Sequence, residues 1–277
     1  MRVRIIFSVL NRGGLVPFHH QMVLSEFVKT VLRTRTDRPF LPDFYNYSGL
    51  KGQSRVTRDG LFYDSSKITL VFSSPDTAFV YEFVEALFAI EQVYIGTLLL
   101  RPVQVLKEIP GFTGEEIKYV CISPIVTISE GLPNGELKRF INPEEPAFSD
   151  LLYDSTLSRM ESSGKYHPDE ILQYQHFRFV PDLEYLAKAR AQEKKFSRIY
   201  QVSHRGRETE VRGYTLPFVL HAAPEVHEFI FHSGLGEETQ EGFGMVDFSN
   251  RDTRTRVEPL VNRDYTSLDS GHFLSQS

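Results

Sequence analysis

Gly234-Leu235-Gly236-Glu237-Glu238-Thr239-Gln240-Glu241-Gly242-Phe243-Gly244 joins a helical stretch, residues 225–233, to an apolar strand, Phe243–Phe248. Glycines at both ends let the chain turn through conformations that other residues resist, and let backbone N–H groups come close to a phosphate. A dinucleotide fingerprint is excluded, because the spacing differs and the loop follows a helix instead of opening one. Upstream, Pro224 marks the start of that helix. Working back, strands are predicted near Val211–Leu220, Ile199–Val202 and His176–Val180. A helix runs from after Pro143-Glu144 to about Arg159, and a strand, Ile117–Ile128, opens this half. The order is a loose βαββαβ.

The first half repeats that order more cleanly. Residues 2–9 alternate like a strand. After Pro17, Leu24, Phe27, Val28, Val31 and Leu32 fall on one helical face, with Ser25, Glu26, Lys29 and Arg33 opposite. Phe44–Tyr47 and Lys67–Phe72 read as strands, and Ser74-Pro75 starts a helix lined by Phe79, Val80, Phe83, Val84 and Leu87. Tyr94–Leu106 supplies a last strand, and Pro110-Gly111-Phe112-Thr113-Gly114 punctuates the chain. The expected fold is α+β, two tandem ferredoxin-like (βαββαβ, RRM-like) domains at 1–112 and 113–249. A polar stretch from about Asn250, residues 250–277, reads as a flexible tail.

Composition narrows the classes. The 277 residues are 41% hydrophobic, enough apolar mass for a core in each half. No run approaches the roughly 18–20 apolar residues of a membrane span. The N-terminus has no small-residue cleavage site. Cys121 is the single cysteine, which rules out an internal disulfide framework and Cys-rich metal sites. A cytoplasmic protein without cofactor is the expectation. The formal charge of −5 argues against a uniformly basic nucleic-acid coat, yet two basic islands stand out. Residues 29–59 carry a net +4 and residues 188–212 a net +5. Solvated surface charge is the plain reading of both; a groove for a polyanion is the sharper one.

Taken with the repeated element order, the terminal G-x-G-x5-G-F-G loop resembles the CRISPR-associated precursor-RNA processing endoribonucleases of the repeat-associated mysterious protein class. Val16-Pro17-Phe18-His19-His20-Gln21 before an amphipathic helix, Phe44-Tyr45-Asn46-Tyr47-Ser48, Cys121-Ile122-Ser123-Pro124-Ile125-Val126 and Val211-Arg212-Gly213-Tyr214 are similar to further family segments. The resemblance spans nearly residues 1–249. It implies metal-independent cutting within CRISPR repeats, with the RNA held by the glycine loop and basic faces. The ribose 2′-OH would attack the adjacent phosphorus, which needs a base, an acid and a cation but no metal. Repeat RNA is then the partner, with CRISPR effector-complex proteins and a second copy of the chain as further candidates, and no membrane.

Family members commonly carry a histidine shortly after the first helix. This chain has Arg33-Thr34-Arg35-Thr36-Asp37-Arg38 there, and its glycine loop is acidic where relatives tend to include a lysine. Lys29, on the polar helix face, and His20, at the helix entrance, become the candidate catalytic pair, with His19 as a second imidazole. A solvated lysine and capping imidazoles are the plain alternatives. Candidate RNA contacts are Arg33, Arg35, Arg38, Arg198, Arg205, Arg207 and Arg212, with Gly234, Gly236, Gly242 and Gly244. Tyr45 and Tyr47, at period two, read as core aromatics. His221, His227 and His232 do not stack on one helix face, so no metal site is expected. A module of the same fold that binds repeat RNA without cutting it remains the alternative, and a scaffold unrelated to RNA has only the net acidity in its favour.

Overall fold

The computed structural model describes residues 1–11, 13–18, 20–34, 44–112, 114–129, 140–204, 207–250 and 254–263, with the backbone alone at 203, 204, 207 and 208. The first half runs β1 (Arg2–Val9), β2 (Leu15–Val16), α1 (His20–Arg33), β3 (Asn46–Tyr47), β4 (Ser54–Val56), β5 (Leu61–Tyr63), β6 (Lys67–Ser73), α2 (Thr77–Ala89), β7 (Val93–Ile95) and β8 (Leu98–Pro110). The second half opens with β9 (Glu116–Cys121), β10 (Ile125–Val126), α3 (Pro146–Ser162), α4 (Pro168–Ile171), β11 (Arg178–Pro181) and α5 (Leu183–Ala191). It continues with β12 (Ser197–His204), β13 (Arg207–Tyr214), β14 (Pro217–His221), α6 (Pro224–Ser233), β15 (Val246–Phe248) and β16 (Thr255–Asn262).

Two antiparallel sheets carry the architecture. One is ordered β16-β8-β1-β6-β3 and the other β11-β14-β9-β15. With β16 set aside, each places its unit's fourth, first, third and second strands side by side, the order of a ferredoxin-like βαββαβ unit. The fold is α+β, with two such units in tandem. Helix α1 forms because its apolar residues recur at 3.6-residue spacing; Leu24, Phe27, Val28, Val31 and Leu32 are all buried against the first sheet. Helix α2 begins at Thr77, capped by Asp76, whose carboxylate accepts the N–H groups of Ala78 and Phe79. Ser74, the expected cap, instead donates to the Phe44 carbonyl.

Several sequence expectations need correction. Ile117–Ile128 is two strands in different sheets, because Pro124 has no N–H to continue a ladder. Val211–Leu220 likewise divides between β13 and β14, and Tyr94–Leu106 folds back as the β7–β8 hairpin. Between β11 and β12, where no helix is expected from the sequence, the chain forms α5, capped by Asp182. Residues 255–262, expected in a flexible tail, pair with β8 as β16. Leu260 and Val261 pack on the first core, and the strand covers a sheet edge that would otherwise be open.

A buried charge cluster joins the units. Arg2 is fully buried, its Nε 2.9 Å from Glu108 Oε2 and its Nη2 3.6 Å from Asp247 Oδ2 on β15. Its Nη1 donates to the Val246 carbonyl at 2.7 Å, and its guanidinium lies 4.3 Å over the Phe231 ring. Arg4 also pairs with Glu108, at 3.0 Å. Among the described residues no helix is long and apolar enough to cross a membrane.

Candidate nucleic-acid interface

One side of the polar face of α1 does not face open solvent. Gln21, Ser25 and Lys29 are four residues apart, so they stack along one side of the helix. All three grip the glycine loop. Gln21 Nε2 donates to the Gly242 carbonyl at 2.5 Å, and Ser25 Oγ donates to Glu241 Oε2 at 2.5 Å. Lys29 Nζ meets Glu241 Oε1 at 2.5 Å, the lysine side chain 29% and the glutamate 20% exposed. From β3, Asn46 Nδ2 donates to the Phe243 carbonyl at 2.8 Å. On the other side, Arg159 of α3 donates to the carbonyls of Ser233, Gly234 and Gly236. Burial lowers its guanidinium to about 10, with Glu237 opposing. The loop is thus clamped between the two units.

This clamp changes the role of the glycines. All four are buried, and the N–H groups of Gly234, Leu235, Glu237, Glu241, Gly242, Phe243 and Gly244 donate to carbonyls within the protein. Those seven amides are spent on the loop's own shape and do not point outward as a phosphate cradle. Gly244 sits at φ 74°, where a Cβ would run into the Leu235 carbonyl oxygen. Gly242, at φ 80°, lies so close over the Tyr47 ring and Gln21 that a Cβ has no room. Gly234 packs on Asn46 and Gly236 on the Val126 carbonyl.

The expected catalytic pair is not brought together. His20 opens α1 and Lys29 follows nine residues later. Nine residues place them about 13 Å apart along the axis and half a turn around it. Lys29 faces the glycine loop, whereas the His20 ring lies beside Gly49. Arg33 is exposed and paired with Glu26 at 3.1 Å. Arg198 stands opposite Gly213, and Arg212 opposite Ile199, in the β12–β13 ladder. Neighbouring ladder positions point to opposite faces, so these two arginines do not share a surface. Arg212 instead stacks at 4.8 Å over Phe140. Arg35, Arg38, Arg205 and His19 lie outside the described residues, as does the side chain of Arg207. The sequence alone gives no site role to Gln21, Ser25, Arg159 or Glu241. The i, i+4 repeat of residues 21, 25 and 29 was the available signal for the α1 flank.

Tyr45 and Tyr47 are core aromatics as expected. Burial, then the Glu241 carboxylate, push the Tyr47 phenol well above 10, with the Ser25 hydroxyl opposing. It stays protonated at neutral pH. The three histidines of the second unit diverge. His227 meets the Tyr119 hydroxyl and the Glu115 carbonyl, His232 the Glu228 carbonyl, and His221 lies 3.7 Å from Glu116.

Burial drives the His232 imidazole down to about 3, with the nearby Arg2 charge adding to the effect. Its folded value lies below an unfolded value of about 6.5, so the unfolded chain binds the extra proton. The stability this group contributes is complete above that pH and is lost as pH falls from 6.5 toward 3. The unfolding free energy measured in urea should therefore be about 2 kcal/mol smaller at pH 5 than at pH 7 from this group alone. A folded His232→Gln protein should lose that share of the pH dependence; an unchanged dependence would contradict the assignment.

The comparisons with known proteins agree with this fold. The family model described as CRISPR associated protein Cas6, C-terminal, matches residues 106–248, just over half of the chain. No curated protein sequence matches. A solved structure described as CRISPR associated protein Cas6 superposes with a TM-score of 0.71 at 18% identity, covering 90% of this chain and 99% of that one. A second, described as an RAMP protein binding different RNA substrates, gives 0.70 at 18% identity, covering 94% and 100%. A third, a Cas6-related gene product from Pyrococcus furiosus, gives 0.68 at 18%, covering 90% and 98%. Fold and clamped loop define a tandem ferredoxin-like protein of the repeat-associated mysterious protein class. The chain belongs to the CRISPR-associated Cas6 family, a family of CRISPR repeat-RNA processing nucleases.

Proposed function

We propose that this protein binds CRISPR repeat RNA and cleaves it without a metal. The ribose 2′-OH attacks the adjacent phosphorus, leaving a 2′,3′-cyclic phosphate and a 5′-OH. The observation that carries the reading is Lys29, a part-exposed ammonium fixed at the seam where α1 of one unit grips the glycine loop of the other. A cation held in place before the substrate arrives stabilises charge developing on phosphate oxygens at no cost of reorganisation. The requirement for a 2′-OH confines the reaction to RNA. In this reading Arg33, with Arg35 and Arg38 after it, continues the positive charge beyond Lys29 toward the RNA backbone, and residues 1–112 and 113–249 act as the two domains that hold it. The glycines shape the loop and leave phosphate contact to side chains.

One observation favours a second reading. Lys29 is already paired with Glu241, and seven of the loop's amides are bonded internally, as a non-cleaving RNA-binding module would tolerate. The test is radiolabelled repeat RNA mixed with purified protein in EDTA. Cleavage to a cyclic-phosphate end is expected; a mobility shift without cleavage would overturn the nuclease reading and establish the binding module.

A further inference from the structure

We propose that Glu241 is the general base of the cleavage, an assignment that rests on the endoribonuclease reading above. The loop is built to deliver this carboxylate. Thr239–Glu241 is a single 3-10 turn bracketed by two left-handed residues, Glu238 at φ 57° and Gly242 at φ 80°. A left-handed non-glycine residue costs about 1–2 kcal/mol and persists only where its surroundings over-determine it. Here Gln21 holds the Gly242 carbonyl from below, and the Tyr47 ring forms the floor. Glu241 is left pointing at α1, with Oε1 on the Lys29 ammonium and Oε2 on the Ser25 hydroxyl, each at 2.5 Å. The carboxylate is locked in direction and is not sealed off, since a fifth of its side chain is exposed.

The chemistry needs a base and a cation side by side. An ammonium has three donors, and one of those on Lys29 is used on Glu241, leaving two for phosphate oxygens. Each carboxylate oxygen keeps a second lone pair for an incoming hydroxyl proton. The neighbours do not compete for the role. The Tyr47 phenol is held protonated, the Ser25 hydroxyl is a donor to Glu241, and His20 sits on the opposite side of α1.

Glu241 takes the proton of the 2′-OH while the 2′-oxygen bonds to phosphorus, and Lys29 faces the charge on the phosphate oxygens. The bond from phosphorus to the 5′-oxygen breaks, and that oxygen takes a proton from a water molecule. The hydroxide so formed removes the proton from Glu241 and restores the carboxylate. A plain latch holding loop to helix would give the same contacts, so the test must separate a base from a latch.

Single-turnover cleavage of repeat RNA in EDTA with saturating protein provides it, alongside gel-shift affinity and melting temperature. Glu241→Gln keeps the shape and removes the base, and is expected to cut about 100-fold slower with affinity equal or tighter, in keeping with the 10²–10⁴ range for lost acid–base catalysis. Glu241→Ala should regain at least about tenfold in rate on adding formate, an external base of the same chemistry, while Lys29→Ala should not. A Glu241→Gln loss smaller than about tenfold overturns the assignment. So does a slow Glu241→Ala that formate does not rescue, which marks a latch. A wild-type protein that binds and never cuts overturns the cleavage reading itself and this base with it, a result seen with the wild type alone.

Discussion

Lys29→Ala is expected to slow single-turnover cleavage of repeat RNA by about 100-fold or more, with a much smaller change in affinity. The lysine is the cation anchored where α1 meets the glycine loop, and its partner Glu241 arrives from 212 positions further along the chain. On the proposed chemistry, removing the ammonium deprives the developing phosphorane of its counter-charge. It also leaves the Glu241 carboxylate facing the phosphate uncompensated, so repulsion adds to the loss. Lys29→Arg keeps a cation but alters its reach and should fall between the two. Saturating protein removes binding from the comparison, and gel shifts report affinity separately. Cleavage by a folded Lys29→Ala protein at the wild-type rate would move the chemistry to other residues.

Arg2→Met is expected to destabilise the protein by about 3 kcal/mol, in the range for breaking a buried ion pair by removing one partner. Arg2 is fully buried between Glu108 of β8 and Asp247 of β15, and it also donates to the Val246 carbonyl. Without it, the Glu108 and Asp247 carboxylates lose the guanidinium they share. Among the described residues Arg4 pairs with Glu108, so the Arg2 guanidinium is the one Asp247 loses. A methionine fills the volume over Phe231, which keeps the comparison on charge and not on a cavity. Urea unfolding measures the loss, and Arg2→Met combined with Glu108→Gln and Asp247→Asn should recover part of it. A cost below about 1 kcal/mol would show that the cluster is no stronger than a surface pair. Because β1 and β15 belong to different units, the same substitution should loosen the grip of α1 on the glycine loop.

Much of this fold is legible in the chain because it rests on local periodicity. The stripe Leu24, Phe27, Val28, Val31 and Leu32 can only be one side of a helix, and the same logic locates α2. The βαββαβ order follows once those helices are placed. What was illegible depends on distant partners. The sequence separates the apolar side of α1 from the polar one, but nothing near Lys29 reveals that its polar flank meets Glu241. The tail strand was hidden because Arg251-Asp252-Thr253-Arg254 dominates the composition, while Val257, Leu260 and Val261 are too sparse to signal a strand before β8 offers them an edge. The basic island at 188–212 looked like one surface, yet a two-strand ladder sends Arg198 and Arg212 to opposite faces. Glycine spacing does mark the loop as a turn of special backbone, with Gly234, Gly236, Gly242 and Gly244 all at positive φ. Seven of its amides are bonded inward, a matter of tertiary contacts that glycine spacing does not encode.

The measurement that bears most directly on the claim of 2′-OH attack uses the EDTA reaction and a repeat RNA with a single 2′-deoxy nucleotide immediately 5′ of the cut. The nucleophile is then missing while every phosphate and base remains. The deoxy RNA is predicted to bind as tightly as the all-ribose RNA and to stay intact, while the all-ribose RNA yields a 2′,3′-cyclic phosphate. Cleavage of the deoxy RNA at the same site and rate would contradict 2′-OH attack, and with it the pairing of Lys29 and Glu241 as cation and base.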